Sequence, residues 1–150
     1  MFRIATAALI LLASAVCAGA ATPQCLRSDE VEADQAVRFQ TELMVVSDTC
    51  GAQTYTRFTR RNSEALARYQ RQVIERFRRA GSSHAEERFD AYMTKLANEI
   101  SLRLGAEPVA VMCQESAQLL ATADTLSGDQ FRRYVADRAA LRSNYRLCRN

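Results

Sequence analysis

Hydrophobic residues recur along this chain at steps of three and four positions, which is the spacing of one face of an α-helix. The stripe is clearest between about residues 53 and 80, where Asn62 occupies a gap in it. Its apolar members are Tyr55, Phe58, Leu66, Tyr69, Val73 and Phe77. The pattern contains no strand-like segment of alternating apolar and polar residues, so it predicts an all-α protein.

The same pattern predicts five helices in the chain. The first covers about residues 29–47, the second about residues 53–80, and the third begins at residue 83 and stops at Gly105. The fourth covers about residues 108–124, and the fifth follows Ser127 and ends just before Cys148. Because the connections are short, successive helices should be antiparallel neighbours. We therefore expect a compact up-and-down bundle of four to five helices.

The first 21 residues show a different pattern. Arg3 precedes an uncharged run from Ile4 to Val16, and small residues then lead to Thr22-Pro23. This order is typical of a signal peptide, cleaved here after Ala20 or Ala21. An uncleaved anchor is the alternative, although the Ala- and Gly-rich end of the run favours cleavage. We expect residues 1–21 to be a signal peptide and residues 22–150 to form a single helical domain, with no transmembrane span after cleavage.

Four cysteines remain after this cleavage: Cys25, Cys50, Cys113 and Cys148. An exported chain with an even number of cysteines is expected to form disulfides, here two. The first predicted helix is about 28 Å long at 1.5 Å per residue and separates Cys25 from Cys50. A disulfide requires Cα atoms within about 7 Å, so these two cysteines should not pair.

Two pairings remain, and the bundle geometry favours one of them. Alternating helix directions place Cys50 and Cys113 at the same end of the bundle, which makes Cys50–Cys113 the preferred bond. Cys25–Cys148 then follows by elimination. This second bond conflicts with a full-length fifth helix, which would end at the opposite end from Cys25. Either the fifth helix is tilted or shorter, or the pairing is wrong.

The sequence offers few residues for catalysis or for metal binding. It contains no C-x-x-C, no C-x-x-C-H and no zinc spacing, and its only histidine, His84, has no ligand partner at helical spacing. The acidic clusters lie at predicted helix starts, where they complement the helix dipole. We therefore expect no cofactor and no metal, and a non-enzymatic role is favoured. The alternative is a small hydrolase of envelope polymers that uses a carboxylate pair.

The distribution of charge along the chain points to one candidate binding surface, on the second predicted helix. The chain carries a net charge of +3, which gives no reason to expect nucleic acid as a partner. The second predicted helix, however, carries eight arginines against Glu64 and Glu75. At about 100° per residue, four of these arginines share one line opposite the apolar stripe and form a candidate anion-binding face: Arg57, Arg61, Arg68 and Arg79.

The alternative is a solvated helix face neutralised by neighbouring acids. Glu64–Arg68, Arg71–Glu75 and Glu75–Arg79 have the i,i+4 spacing of helical ion pairs. The acidic segment 27–50 is also available to lie beside the basic helix. A second basic run on the fifth helix would strengthen the anion-binding interpretation if it adjoined the second helix. That run comprises Arg132, Arg133, Arg138, Arg142 and Arg146.

The layout resembles small exported four-cysteine helical proteins of Gram-negative, GC-rich bacteria. The features that carry the resemblance are the Arg3 signal, the Gln24-Cys25 start, the apolar core of the second helix, and the positions of the later cysteines. The resemblance implies a periplasmic or secreted location, and it implies neither an activity nor functional residues.

These observations predict an exported helical protein with a binding or accessory role. Its partner would be an envelope protein or an anionic surface, and lipid or polysaccharide binding through the arginine face is the more specific alternative. The sequence specifies neither the partner nor an oligomeric state.

The disulfide assignment can be tested on the oxidised protein. Digestion without reductant, followed by mass spectrometry, should give one peptide pair joining Cys50 to Cys113 and another joining Cys25 to Cys148. A pair that joins Cys50 to Cys148 would contradict the assignment.

Overall fold

The structure is a computed structural model that describes residues 25–141 and 145–148. The predicted signal peptide lies outside the described residues. The described part contains helices and one isolated bridge between Leu26 and Leu147. The helices, in chain order, are α1 Ser28–Thr49, α2 Thr54–Arg61, α3 Ser63–Arg79, α4 Ala85–Leu104, α5 Val109–Glu115, α6 Ala117–Thr125 and α7 Asp129–Ala140.

The all-α prediction is confirmed, but the predicted number of four to five helices is wrong, because the described residues form seven. The predicted second helix is divided at Asn62 into α2 and α3. Asn62 has φ −116° and ψ 15°, and its buried side-chain amide donates to the carbonyls of Phe58 at 3.0 Å and Leu126 at 3.1 Å. The break therefore coincides with a tertiary hydrogen bond to Leu126. The apolar periodicity of the sequence does not indicate such a bond.

Two further differences concern the second half of the chain. The predicted fourth helix is divided at Ser116, where α5 ends and α6 begins. The Ser116 hydroxyl contacts the sulfur of Met112, one turn earlier, at 3.7 Å. The predicted fifth helix is shorter than expected, because α7 ends at Ala140.

Helix α1 lies at the centre of the fold and contacts each of the other six helices of the described chain. Phe39, at the middle of α1, is fully buried. Its ring packs against those of Phe58 on α2 and of Phe131 and Tyr134 on α7, with centroid separations of 5.4, 6.0 and 5.1 Å. These distances are typical of aromatic core contacts. The aromatic cluster joins the first, middle and last parts of the chain.

Two disulfides close the fold. They join Cys50 to Cys113, the pair that helix geometry favours, and Cys25 to Cys148, the pair that follows by elimination. The short α7 resolves the conflict over the second bond. Beyond α7, the described residues 145–148 lie beside the start of the chain. There the Leu26 N–H donates to the Arg146 carbonyl at 2.8 Å and the Cys148 N–H donates to the Leu26 carbonyl at 2.9 Å.

A network of charged and phenolic groups is buried against α1. Asp34 accepts hydrogen bonds from the Tyr92 hydroxyl at 2.6 Å, the Tyr145 hydroxyl at 2.5 Å and the Arg38 Nε at 2.7 Å. It also accepts one from Arg76 Nη1 at 3.1 Å. The network therefore ties α1 to α3, to α4 and to the C-terminal segment.

A second buried carboxylate, Glu30, lies one turn earlier on α1. It accepts hydrogen bonds from the Arg79 guanidinium and from the Arg27 backbone N–H. Burial alone would raise the pKa of Glu30, but these bonds outweigh burial and lower it. Burial likewise opposes ionisation of Asp34, and bonds from Tyr145, Tyr92 and Arg38 hold its pKa below the ordinary value. Both carboxylates are thus ionised at neutral pH.

The lowered pKa values give the protein a defined sensitivity to acid. A carboxyl whose folded pKa is depressed stabilises the fold above its unfolded pKa, about 4, and this contribution is lost as the pH falls through the folded pKa. In Asp34→Asn, Arg38 and Arg76 lose their buried counter-ion. We expect a loss of about 3–5 kcal/mol of unfolding free energy at pH 7 and a weaker dependence of stability on pH below 4.

Urea denaturation at pH 7 and at several acidic pH values measures both effects. The control is Asp90→Asn, which alters an exposed aspartate on α4. Equal stability of Asp34→Asn and the wild type at pH 7 would show that the buried network is not a structural requirement.

Candidate functional site

The arginines of α2 and α3 divide into two groups. The inner group, Arg76 and Arg79, points toward α1, and these side chains are 13% and 30% exposed. Arg76 binds Asp34, and Arg79 binds Glu30 and the backbone carbonyl of Cys25. The acidic first helix thus lies beside the basic one, and it neutralises one end of it. Arg79, a predicted member of the anion-binding face, belongs to this internal network.

Arg57 and Arg61, also predicted members of that face, help to attach α2 to α6. Arg57 binds Asp124 through Nη2 at 2.8 Å and Nε at 3.0 Å. Arg61 is exposed and donates from Nη2 to the backbone carbonyl of Ala123 at 3.0 Å. Arg61 has further N–H groups that remain available to solvent, whereas the Arg57 charge is matched by Asp124.

Arg61 and Arg68, together with Arg71, line a cleft of about 300 Å³ at the break between α2 and α3. Arg132 of α7 lines the same cleft, so one member of the second basic run adjoins the first. Arg138, another member of that run, instead lies over the rings of Phe39 and Tyr134. Arg142 lies outside the described residues. The cleft therefore combines arginines from three helices.

Asn62 joins the two sides of this cleft, the α2–α3 break and the loop before α7, by hydrogen bonds. Its Oδ1 accepts a hydrogen bond from the Gly128 N–H at 3.0 Å, and its Nδ2 donates to the Leu126 carbonyl at 3.1 Å. Gly128 has a φ of +49°, a left-handed conformation that glycine adopts without steric cost. The loop before α7 is thereby fixed against the α2–α3 break, and Arg132, in the first turns of α7, is positioned beside the α3 arginines.

The ion pairs expected on a solvated basic helix face are not those that form. Glu75 pairs with Arg78 at 3.2 Å, and Arg79 pairs with Glu30. Within residues 25–141 and 145–148, no carboxylate lies within 4 Å of the side-chain nitrogens of Arg61, Arg68 or Arg71. The opposing charges at the cleft are Glu64, which lines it, and Asp129, which pairs with Arg132. Positive charge is therefore in excess at this surface.

Two further depressions continue the cleft along the same helices. One is lined by Arg57, Arg60 and Arg61. The other includes Arg68, Arg71 and Arg78, and also Glu75 and Glu86, which both pair with Arg78. Each shares at least one arginine with the central cleft. We name the exposed residues of this surface the arginine track, and it comprises Arg60, Arg61, Arg68, Arg71 and Arg132. At 1.5 Å per residue, α2 and α3 from Arg57 to Arg78 span at most about 30 Å.

The structure also shows where the residues considered for other chemistry lie. His84 is exposed at the start of α4, 3.4 Å from Glu87. Glu42 and Glu99 share a cleft between α1 and α4, and Glu42 accepts a hydrogen bond from Arg103 at 2.8 Å. The hydrolase hypothesis, which requires a carboxylate pair in a cleft, stays a prediction, and Glu42 and Glu99 are the pair that it would concern.

Two searches of the described residues gave negative results. No group of three or more His, Cys, Asp or Glu side chains is arranged to hold a metal ion in this part of the chain. Among the helices described, none has both the length and the apolar character needed to cross a bilayer.

Comparison with known protein families, with curated proteins and with solved structures gives no match for this chain. The candidate site therefore depends on the geometry of the chain itself. The predicted anion-binding face did not include Arg71, although its i,i+3 spacing from Arg68 was a signal for it. Arg132 was named only as part of a basic run whose position relative to the second helix was open, and the Asn62 contacts to the loop before α7 place it at the cleft. A polar residue inside an otherwise apolar stripe was the one signal of the break at Asn62.

The role of Asn62 can be tested by Asn62→Ala. The substitution leaves the Gly128 N–H and the Leu126 carbonyl without their partner. The bond to the Leu126 carbonyl is buried, and an unsatisfied buried group costs about 1–3 kcal/mol, so we expect a loss of unfolding free energy of about this size. Urea denaturation measures it.

Asn98→Ala is the matched control, since Asn98 is exposed on α4. Its stability should stay within about 0.5 kcal/mol of the wild type. An equally small effect of Asn62→Ala would contradict the role assigned to Asn62.

Proposed function

We propose that this protein is an exported, periplasmic or secreted, helical binding protein that recognises a linear anionic polymer through the arginine track. The observation that carries the proposal is the set of exposed arginines without a carboxylate partner in the described chain: Arg61, Arg68 and Arg71. They line adjoining clefts together with Arg132.

Arginine chemistry supports an anionic ligand. A guanidinium group offers up to five N–H donors in a planar arrangement that matches carboxylate, sulfate or phosphate oxygens. In the arginine track, Arg68 lies with its guanidinium 5.5 Å from the Tyr69 ring centroid. This contact orients the side chain without neutralising its charge. Guanidinium groups that have no carboxylate within 4 Å in the described chain favour anions by both charge and geometry.

The shape of the surface supports a polymer rather than a membrane. Three shallow depressions follow one another along α2 and α3, as a flexible chain of repeated charges would require. A helix that binds membranes usually also inserts an apolar face between lipids. None of the exposed large hydrophobic residues of the described chain belongs to α2 or α3. An acidic polysaccharide is therefore the ligand class that we favour.

The location in this proposal has separate support. Two disulfides are typical of proteins that fold outside the cytoplasm. The pattern of residues 1–21 supports export through a signal peptide. An acidic polymer of the envelope would be encountered in that compartment.

The experiment compares binding of a labelled polygalacturonate by two double variants with equal net charge. Arg68→Glu/Arg71→Glu reverses two charges of the arginine track. Arg88→Glu/Arg133→Glu reverses two exposed charges elsewhere, on α4 and α7. Fluorescence anisotropy at 50 mM sodium chloride should show at least a tenfold loss of affinity for the first variant and less than a threefold loss for the second. Wild-type binding should weaken as salt is added.

Three outcomes would count against the proposal. The first is a wild type that does not bind the polymer at 50 mM salt. The second is an equal loss in the two variants, which would show only a response to net charge. The third is equally tight, track-dependent binding to phosphatidylglycerol vesicles, which would replace the polymer with a membrane surface. Circular dichroism melts establish that each variant is folded.

A further inference from the structure

A second cleft, of about 500 Å³, lies between α1, α4 and α7 and plays no part in the proposal for the arginine track. Its walls carry both signs of charge. The charged and polar residues that line it are Gln35, Arg38, Glu42, Glu99, Arg103 and Arg138. Volumes of this size are typical of small-molecule sites in proteins.

One buried group in this cleft has an unused hydrogen-bonding position. Gln35 is 1% exposed, and its Nε2 donates to the Tyr145 hydroxyl at 2.8 Å. The Tyr145 hydroxyl in turn donates to Asp34, so it is available to Gln35 only as an acceptor. This chain fixes the orientation of the Gln35 amide. Its Oε1 has no hydrogen-bond partner within the described part of the protein. A buried carbonyl of this kind favours a ligand that supplies an N–H or O–H group.

Two arginines of the cleft are held in place but retain free donors. Arg38 uses Nε to bind Asp34 at 2.7 Å and lies 6.0 Å from the Tyr92 ring centroid. Arg138 uses Nη1 to bind the Tyr134 hydroxyl at 2.9 Å. Their other guanidinium N–H groups find no acceptor among the residues that the structure describes. Two positioned guanidinium groups favour a carboxylate.

The acidic residues of the cleft favour a positively charged group of the ligand. Glu99 is 55% exposed, and its ion pair with Lys95 is long, at 3.7 Å. Glu42 is already bound by Arg103 at 2.8 Å. Glu99 is therefore the carboxylate available to an ammonium group. Leu96 and Ile100 contribute an apolar part of the lining.

The length of the cleft limits the size of the ligand. Gln35 and Glu42 both line it, and seven residues of α1 rise about 10 Å. An extended peptide advances about 3.3–3.6 Å per residue. We infer that this cleft binds a peptide of two or three residues with free termini. Arg38 and Arg138 hold the carboxylate, Glu99 holds the ammonium group, and the Gln35 carbonyl accepts a peptide N–H.

The test uses trialanine as the probe and the oxidised full protein as the receptor. Titration followed by ¹⁵N-resolved NMR should show saturable shifts at the cleft, with a Kd of about 1 mM or tighter, a weak but specific affinity. The same peptide with an acetylated N-terminus and an amidated C-terminus should bind at least tenfold more weakly. Arg138→Gln and Glu99→Gln should each weaken trialanine binding at least fivefold.

Arg133→Gln is the matched control, because Arg133 is an exposed arginine of α7 that does not line the cleft. Glu99→Gln changes a half-exposed side chain, so it keeps the test valid if Arg138→Gln proves unstable. Absence of saturable shifts at 10-fold the expected Kd, about 10 mM, would overturn the inference. Equal binding of the blocked peptide, or wild-type binding by Glu99→Gln and any folded Arg138→Gln, would also overturn it.

Discussion

Two buried carboxylates on the central helix need positive charge and hydrogen-bond donors around them, and the rest of this structure depends on that constraint. Glu30 and Asp34 lie one turn apart on a helix that contacts all of the other described helices. An ionised carboxylate in such a place is unstable unless cations and hydrogen-bond donors surround it. Arg76 and Arg79 meet this requirement from α3. The hydroxyl of Tyr145 meets it from the end of the chain, next to the disulfide that closes the fold.

This constraint also determines which arginines are available for binding. At the end of α3, Arg76 and Arg79 turn inward and are neutralised by α1, whereas Arg78 stays exposed and pairs with Glu75 and Glu86. Nearer the break at Asn62, Arg68 and Arg71 bind neither Glu30 nor Asp34. Both side chains stay exposed and line the cleft. The clamp from Asn62 to the loop before α7 then brings Arg132 to the same surface. A single basic segment thus serves two purposes, one structural and one that we propose to be ligand binding.

Much of the architecture could be predicted because it depends on local spacing. Apolar periodicity gave the helical class, and helix length alone separated Cys25 from Cys50. The break at Asn62 could not be predicted in the same way, because Asn62 bonds to groups more than sixty residues distant. At Ser116 the hydroxyl contacts Met112, only one turn earlier, and apolar spacing did not indicate that break. The inward orientation of Arg79 has the same cause as the break at Asn62, since its partner Glu30 is 49 residues away. Long-range polar contacts therefore account for the helix break at Asn62 and for the inward position of Arg79.

The central claim is that the basic segment is divided between an inner and an outer set of arginines. Parallel measurement of unfolding free energy and polygalacturonate affinity across single Arg→Gln variants tests it most directly. We predict that Arg76→Gln and Arg79→Gln lower stability by about 3 kcal/mol or more and keep wild-type affinity. Arg68→Gln and Arg71→Gln should lower affinity and keep wild-type stability within about 0.5 kcal/mol. If all four variants lose affinity and stability to similar extents, the division does not exist.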